Sequence, residues 1–342
     1  MINYINRLTV PFLIAFAMCI ILTPISMKIA KRINAIDLPK GERKIHAKPI
    51  PRLGGIAIFV STLITMVYYS NYSFNIILGI SLGAIVIVIT GILDDVYDLP
   101  AKIKLLMQII AAIIVVSFGI RIEIFTNFFA STGYINLGIL SMPLTIFWIV
   151  GITNTVNLID GLDGLAAGIA IIASFTLAYI ALINNRVETA TLLVILAGSS
   201  LGFLPYNFNP AKVFMGDSGS LFLGYFLSVV SILGAVKGAA AITYFLPVLA
   251  LGLPIFDTSY AILRRMINKR PIMEADKGHL HHKLLDIGFN HKKAVLVLYS
   301  ISILLGITAI FCSTNRYIDS LIPLSLVLVL IMIPINKASN VK

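Results

Sequence analysis

Long apolar runs separated by short polar stretches dominate the chain, and eleven of them reach membrane-spanning length. They cover residues 9–30, 53–70, 74–93, 104–121, 139–158, 165–183, 189–206, 219–236, 239–263, 294–312 and 320–336. This pattern predicts an all-α, polytopic membrane protein of about eleven transmembrane helices, forming one integral-membrane domain over 1–342. The polar breaks at 71–73 and 237–238 are short enough to predict tight helical hairpins. The first run is too long for the apolar core of a signal peptide and lacks a small-x-small cleavage site, so it reads as an uncleaved span.

Composition agrees: 58% of the 342 residues are hydrophobic, only 12% are charged, and the mean hydropathy is +0.97. The two cysteines, Cys19 and Cys312, fall within or at the end of apolar runs, and suggest neither a disulfide framework nor a zinc knuckle. A net charge of +11 would suit a nucleic-acid binder, but its distribution follows membrane topology instead. The loops at 28–52, 94–104, 159–164, 207–218 and 264–293 and the C-terminal tail hold 21 of the 26 Lys and Arg residues. The positive-inside rule places these loops in the cytoplasm, with the N-terminus outside and the C-terminus inside.

Twelve of the fifteen acids and all five histidines fall on that same side or at its membrane edge. The positive-inside rule does not account for acids or histidines. Their gathering predicts a composite active site on the cytoplasmic face, built from several loops.

The polar motifs supply the candidates. "GILDDVYDLP" (91–100) sets Asp94, Asp95 and Asp98 at the end of a span. On a continuing helix Asp94 and Asp98 share a face, while Asp95 points about 100° away. Carboxylates this close repel one another, which a divalent cation or a neighbouring lysine, Lys102 or Lys104, relieves. In "GITNTVNLIDGLDGLAAG" (151–168), Asn154, Asn157 and Asp160 recur every third residue and Asp163 follows, a set suited to uracil, sugar or metal. "NFNPAKVFMGDSGSLFLG" (207–224) contributes Asn209 and places Asp217 at a helix start, where backbone N–H groups can approach phosphate or a hydrated metal. Its "GDSGS" looks like a serine-protease motif, but Ser218 opens a transmembrane helix, which excludes that chemistry.

Arg264 and Arg265 follow the intramembrane Asp257 and read equally as a diphosphate clamp or as positive-inside anchors. In "EADKGHLHHKLLDIG" (274–288), His279, His281 and His282 suit anionic phosphate oxygens as hydrogen-bond donors. The oxygen-rich acids elsewhere favour Mg²⁺ over zinc. "KGERKIHAKPIPRLGG" (40–55) offers Lys48 and Arg52 to a lipid phosphate, and fits simple attraction to anionic headgroups equally well.

Taken together, and in this order, these motifs resemble the polyprenyl-phosphate N-acetylhexosamine-1-phosphate transferases, from "KIHAKPIPRLGG" to "HLHHKLL". The resemblance implies transfer of N-acetylglucosamine 1-phosphate from UDP-GlcNAc to a polyprenyl (undecaprenyl) phosphate, with release of UMP. It implies an Mg²⁺ requirement, with Mn²⁺ as a substitute, a multi-pass protein of the bacterial plasma membrane, and a homodimer. By motif it assigns Asp94, Asp95, Asp160 and Asp163 to catalysis and Asp217, with Asp94 and Asp95, to the metal. Asn157, His279, His281 and His282 match the family's nucleotide-side motifs, and Asn209, Lys48, Arg52, Lys104, Arg264 and Arg265 are further candidates for substrate binding. One Asp of the pair acts as base on the lipid phosphate or as a nucleophile; the resemblance leaves this open, with direct attack by the lipid phosphate preferred.

The muramoyl-pentapeptide branch carries three consecutive histidines followed by an acid, whereas this chain reads His-Leu-His-His before Lys283. UDP-GlcNAc is therefore expected ahead of UDP-GalNAc or UDP-MurNAc-pentapeptide. An ion-coupled secondary transporter is the rival of another class, but no internal repeat supports it and the polar groups gather at one face rather than the midplane. A CDP-alcohol transferase is disfavoured because the Arg its motif requires is missing from "DGLDGLAAG".

Overall fold

A computed structural model describes residues 2–37, 49–126, 134–234, 245–269 and 278–339. Lys48 lies outside the described residues, as does the expected turn at 237–238. The helices are α1 (Ile2–Arg32), α2 (Gly55–Tyr69), α3 (Phe74–Tyr97), α4 (Ala101–Ser117), α5 (Ser141–Ile159), α6 (Leu165–Ile183) and α7 (Val187–Asn207). They continue with α8 (Gly216–Gly234), α9 (Phe245–Ala250), α10 (Gly252–Ile267), α11 (Leu280–Asp286), α12 (His291–Ser313) and α13 (Tyr317–Ser339).

Among the described residues, ten of the eleven apolar runs fall on one helix each, and the fold is that of a polytopic membrane protein. Seven helices among the described residues are long and apolar enough to cross a membrane: α1, α3, α5 (with the turn before it), α6, α7, α8 and α12. α2 and the Tyr317–Met332 part of α13 are shorter apolar helices.

Two departures from the expected pattern have local causes. The run at 239–263 is not one helix: α9 and α10 are separate, meeting at Leu251. Pro254 has no N–H to bond the carbonyl of Ala250, so a continuous ladder is impossible there, and proline is tolerated only because it falls in the first turn of α10. The chain also forms two short antiparallel hairpins, β1 (Ile36–Asp37) with β2 (Ile50–Pro51), and β3 (Ile124–Thr126) with β4 (Tyr134–Asn136). They are too short to show as alternation in the sequence.

α8 is the centre of the bundle, packed by α2, α3, α5, α6 and α7, with every residue from Ser218 to Ile232 buried. Its small residues permit close approach, as expected where apolar collapse gives little drive between helices in lipid. Buried polar groups on it are matched: Tyr225 donates to the Ile80 carbonyl at 2.9 Å, and Trp148 Nε1 to Ser231 Oγ at 3.1 Å. The alternation of helix directions brings the C-termini of α3, α5 and α7 and the N-termini of α2, α4, α6 and α8 to one end of the bundle.

Candidate active site

At that end lies a cavity of about 380 Å³. Seven carboxylates line it, those of Asp37, Asp94, Asp95, Asp98, Asp160, Asp163 and Asp217, with Arg52 as the cation among the lining residues. A second cavity of about 840 Å³ runs between α4, α5 and α10, largely along apolar side chains such as Leu105, Phe147, Ile152 and Ile262. Asn157 and Gly161 border both cavities, so the acidic site and the largely apolar cavity lie side by side.

The adjacent acids at the end of α3 diverge as the helix geometry requires. Asp94 accepts from the Leu99 N–H (2.8 Å) and from Lys104 Nζ (3.0 Å). Lys104 also reaches Asp217 Oδ2 at 3.1 Å, so one ammonium bridges the acids of two helices. Asp95 turns instead to the start of α8, where its carboxylate accepts from the N–H groups of Asp217 (2.9 Å) and Ser218 (3.2 Å). The helix N-terminus that the sequence offered to phosphate is thus capped by a carboxylate of the protein itself, which suits the positive end of the helix dipole. This approach requires glycine at 216: its φ is +70°, and a Cβ there would meet the Arg52 carbonyl and the Asp95 carboxylate.

Asp217, opening α8, also accepts from Asn157 Nδ2 at 3.1 Å, and Asn157 reaches Ser220 Oγ at 2.9 Å. Asn154, one turn earlier, exchanges amide hydrogen bonds with Gln108. Asp163 is buried and holds the 207–211 loop, accepting from Asn209 Nδ2 (2.9 Å) and the Ala211 N–H (3.1 Å). Asp160 follows α5 as its C-cap and lines the cavity. Burial pushes Asp160 up to about 7, helped by repulsion from Asp217, Asp95 and Asp163.

The histidines approach from the other side. His281 lies against Gly161, where its imidazole occupies the space a Cβ would take. Burial pushes it down to about 3, and the neighbouring His282 adds to the effect, so it is neutral. His279, His281 and His282 line the larger cavity with Arg265 and Lys104. Arg264 points elsewhere, donating to the Gly278 carbonyl at 3.0 Å beside the Tyr260 ring. Arg52 pairs with Asp37 at 2.7 Å at the edge of the acidic cavity.

The structure therefore brings together Asp94, Asp95, Asp160, Asp163, Asp217, Asn157 and Lys104, with Asn209 held by Asp163 behind them. Sequence reasoning did not select Asp37 or Phe214 for the cavity lining. Asp37 is one of two acids, with Glu42, in a basic segment and Phe214 one aromatic in an apolar chain, so neither carried a signal. Among the described residues no cluster of three His, Cys, Asp or Glu forms a ready cage for a metal ion. The donor set is nonetheless all oxygen, and Lys104 already marks a position between two carboxylates where positive charge is held. A small hard cation that keeps most of its waters needs only one or two such carboxylates.

The family model for glycosyl transferase family 4 matches residues 77–235, the stretch that carries both acidic motifs and α8. A probable undecaprenyl-phosphate N-acetylglucosaminyl 1-phosphate transferase of Bacillus subtilis is 45% identical over 304 residues, covering 89% of this chain and 84% of the relative. A decaprenyl-phosphate N-acetylglucosaminephosphotransferase of Mycolicibacterium smegmatis is 35% identical, covering 85% of this chain and 78% of the relative. A phospho-N-acetylmuramoyl-pentapeptide-transferase of Staphylococcus carnosus is 32% identical, covering 89% of this chain and 98% of the relative. With its acids gathered as the motifs implied and its relatives matched along most of their length, the chain belongs to glycosyl transferase family 4, among the polyprenyl-phosphate N-acetylhexosamine-1-phosphate transferases.

Proposed function

We propose that this chain transfers N-acetylglucosamine 1-phosphate from UDP-GlcNAc to a polyprenyl phosphate such as undecaprenyl phosphate. An oxygen of the lipid phosphate attacks the β-phosphorus of the sugar nucleotide. The bond from that phosphorus to the bridging oxygen breaks, UMP leaves with the oxygen, and a polyprenyl-diphosphate sugar remains. The observation that carries this reading is that a carboxylate-lined cavity and a largely apolar one lie side by side at Asn157 and Gly161. A lipid tail fits the apolar cavity and a cation-bound diphosphate fits the acids.

The residues divide as their contacts suggest. Lys104, between Asp94 and Asp217, keeps positive charge where two phosphorylated substrates must approach each other. Asn157 orients the Asp217 carboxylate through one oxygen. Asp217 with Asp94 would hold Mg²⁺, or Mn²⁺ in its place. That ion supplies neutralisation of the diphosphate charge. Asp95 supports Asp217 from behind by capping α8. Direct attack is favoured over a covalent aspartyl intermediate because the oxygens of Asp94 and Asp95 already accept hydrogen bonds, which lowers their nucleophilicity. His279, His281, His282 and Arg265 belong to the phosphate side of the larger cavity.

The charge distribution supports insertion of all eleven apolar segments as one domain in a bacterial plasma membrane, with the site on the cytoplasmic face. UDP-GlcNAc is chosen over UDP-MurNAc-pentapeptide because of the His-Leu-His-His-Lys sequence and the higher identity to the N-acetylglucosaminyl relative. The test is incorporation of sugar-labelled UDP-GlcNAc into extractable lipid by the purified chain, in competition with unlabelled UDP-GlcNAc, UDP-GalNAc and UDP-MurNAc-pentapeptide. Strong competition by UDP-GlcNAc alone is expected; equal competition by the others would overturn the substrate assignment.

A further inference from the structure

Asp257 plays no part in the reaction so far described and lines neither cavity, yet it is an acid 4% exposed in the middle of an apolar run. Such a group is costly unless paired, and its partner indicates its use. One carboxylate oxygen lies 2.8 Å from His279 Nδ1, and the other accepts from the Leu280 N–H at 2.7 Å. We infer that Asp257 is a positioning residue for the transfer reaction: it fixes the ring of His279 and thereby selects the ring nitrogen offered to the substrate phosphates. This rests on the reading of His279 as a phosphate-side group.

A carboxylate can only accept, so His279 gives its Nδ1–H to Asp257 and turns Nε2 to the ligand, where it donates to a phosphate oxygen when that nitrogen also carries a proton. The rest of that face of α10 holds the same segment. Arg264, two turns after Asp257, bonds the Gly278 carbonyl, and Tyr260 between them lies under Lys283 Nζ, 4.6 Å from the ring centroid. Gly278, His279, Leu280 and Lys283 are therefore all gripped from one helix face. The His279 ring lies nearly parallel to that of His281, centroids 5.7 Å apart, and His281 rests on Gly161 in the loop between Asp160 and Asp163. The orientation set by Asp257 is thus passed, ring upon ring, to the loop that borders both cavities.

The experiment is steady-state kinetics on the full-length chain in detergent, with UDP-GlcNAc and polyprenyl phosphate, for Asp257→Asn, Asp257→Ala, His279→Gln and the Asp257→Asn/His279→Gln double variant. The Asn amide oxygen still accepts from the Leu280 N–H, so Asp257→Asn keeps the backbone bond and loses only the carboxylate. We expect it to lower kcat by about 10–100-fold, the usual cost of losing an orienting partner, with KM little changed. In the His279→Gln background the same change should cost nothing further, because a residue acting through His279 has nothing left to orient. Wild-type kcat in Asp257→Asn beside an impaired Asp257→Ala would reduce Asp257 to a backbone cap and overturn the inference. So would losses that multiply in the double variant. Wild-type turnover in His279→Gln would overturn the phosphate-side reading of that histidine, and the inference with it.

Discussion

The carboxylate of Asp95 caps the helix that Asp217 opens, accepting its N–H at 2.9 Å and that of Ser218 at 3.2 Å. Two residues 122 apart in sequence are thereby locked together, and the backbone of one acid of the cavity is held by the carboxylate of another. The adjacent pair at the end of α3 consequently does two jobs. Asp94 shares a lysine with Asp217, and Asp95 holds the backbone beneath it.

Replacement of Asp95 and of Asp217 should separate these jobs. Both Asp95→Asn and Asp217→Asn are expected to abolish turnover while the protein still inserts. Asp95→Ala should also lower stability by about 1–2 kcal/mol, the usual cost of a lost N-cap, whereas Asp217→Asn should cost less, because it leaves the cap of α8 in place and weakens only the contact to Lys104. Apparent thermal midpoints in detergent measure this; equal destabilisation by both variants would remove the capping role from Asp95.

Gly216→Ala should be as damaging as loss of the cap. A left-handed φ of +70° costs a non-glycine residue about 1–2 kcal/mol, and the new Cβ would push Asp95 away from α8. Reduced thermal midpoint and lost activity are expected together in the same preparation.

Lys104→Met removes the cation between Asp94 and Asp217. The two carboxylates then attract a divalent ion more strongly, so the Mg²⁺ concentration for half-maximal activity should fall. Turnover should drop by about 10–100-fold at saturating metal, since a group that orients the site is lost. A titration of activity against Mg²⁺ measures both; an unchanged half-maximal concentration would place Lys104 outside the electrostatics of the acids.

Much of this site was legible in the sequence because membrane segments make polar residues conspicuous. Asp94, Asp95, Asn157, Asp160, Asp163 and Asp217 stand beside long apolar runs, and helical spacing alone separates Asp94 from Asp95 by direction. The helix limits followed the same contrast, with α6 falling on the expected 165–183. Partner choice was not legible. Nothing local says that Lys104 reaches α8, that Asp163 holds Asn209, or that Arg264 turns to Gly278 while Arg265 lines the larger cavity. Those depend on which helix ends and loops meet, a property of packing between segments 14 to 113 residues apart. The break between α9 and α10 had a local cause in Pro254, masked by the apolar run around it.

His281 should make stability dependent on pH. Its folded value, about 3, lies below the ordinary histidine value of about 6.5. Between those limits the unfolded chain binds a proton that the folded one does not, so stability is full above pH 6.5 and declines as pH falls through the window. Apparent midpoints measured from pH 8 to pH 4.5 should fall more steeply for wild type than for His281→Gln; parallel curves would show that the imidazole is not buried neutral.

The reaction itself is tested most directly by following the β-phosphorus. Purified chain with Mg²⁺ and polyprenyl phosphate is given UDP-GlcNAc labelled with ³²P at the β position, and both phases are analysed. Label in the organic-extractable lipid together with free UMP is the predicted result. Release of labelled UDP, with only the sugar in the lipid, would contradict it.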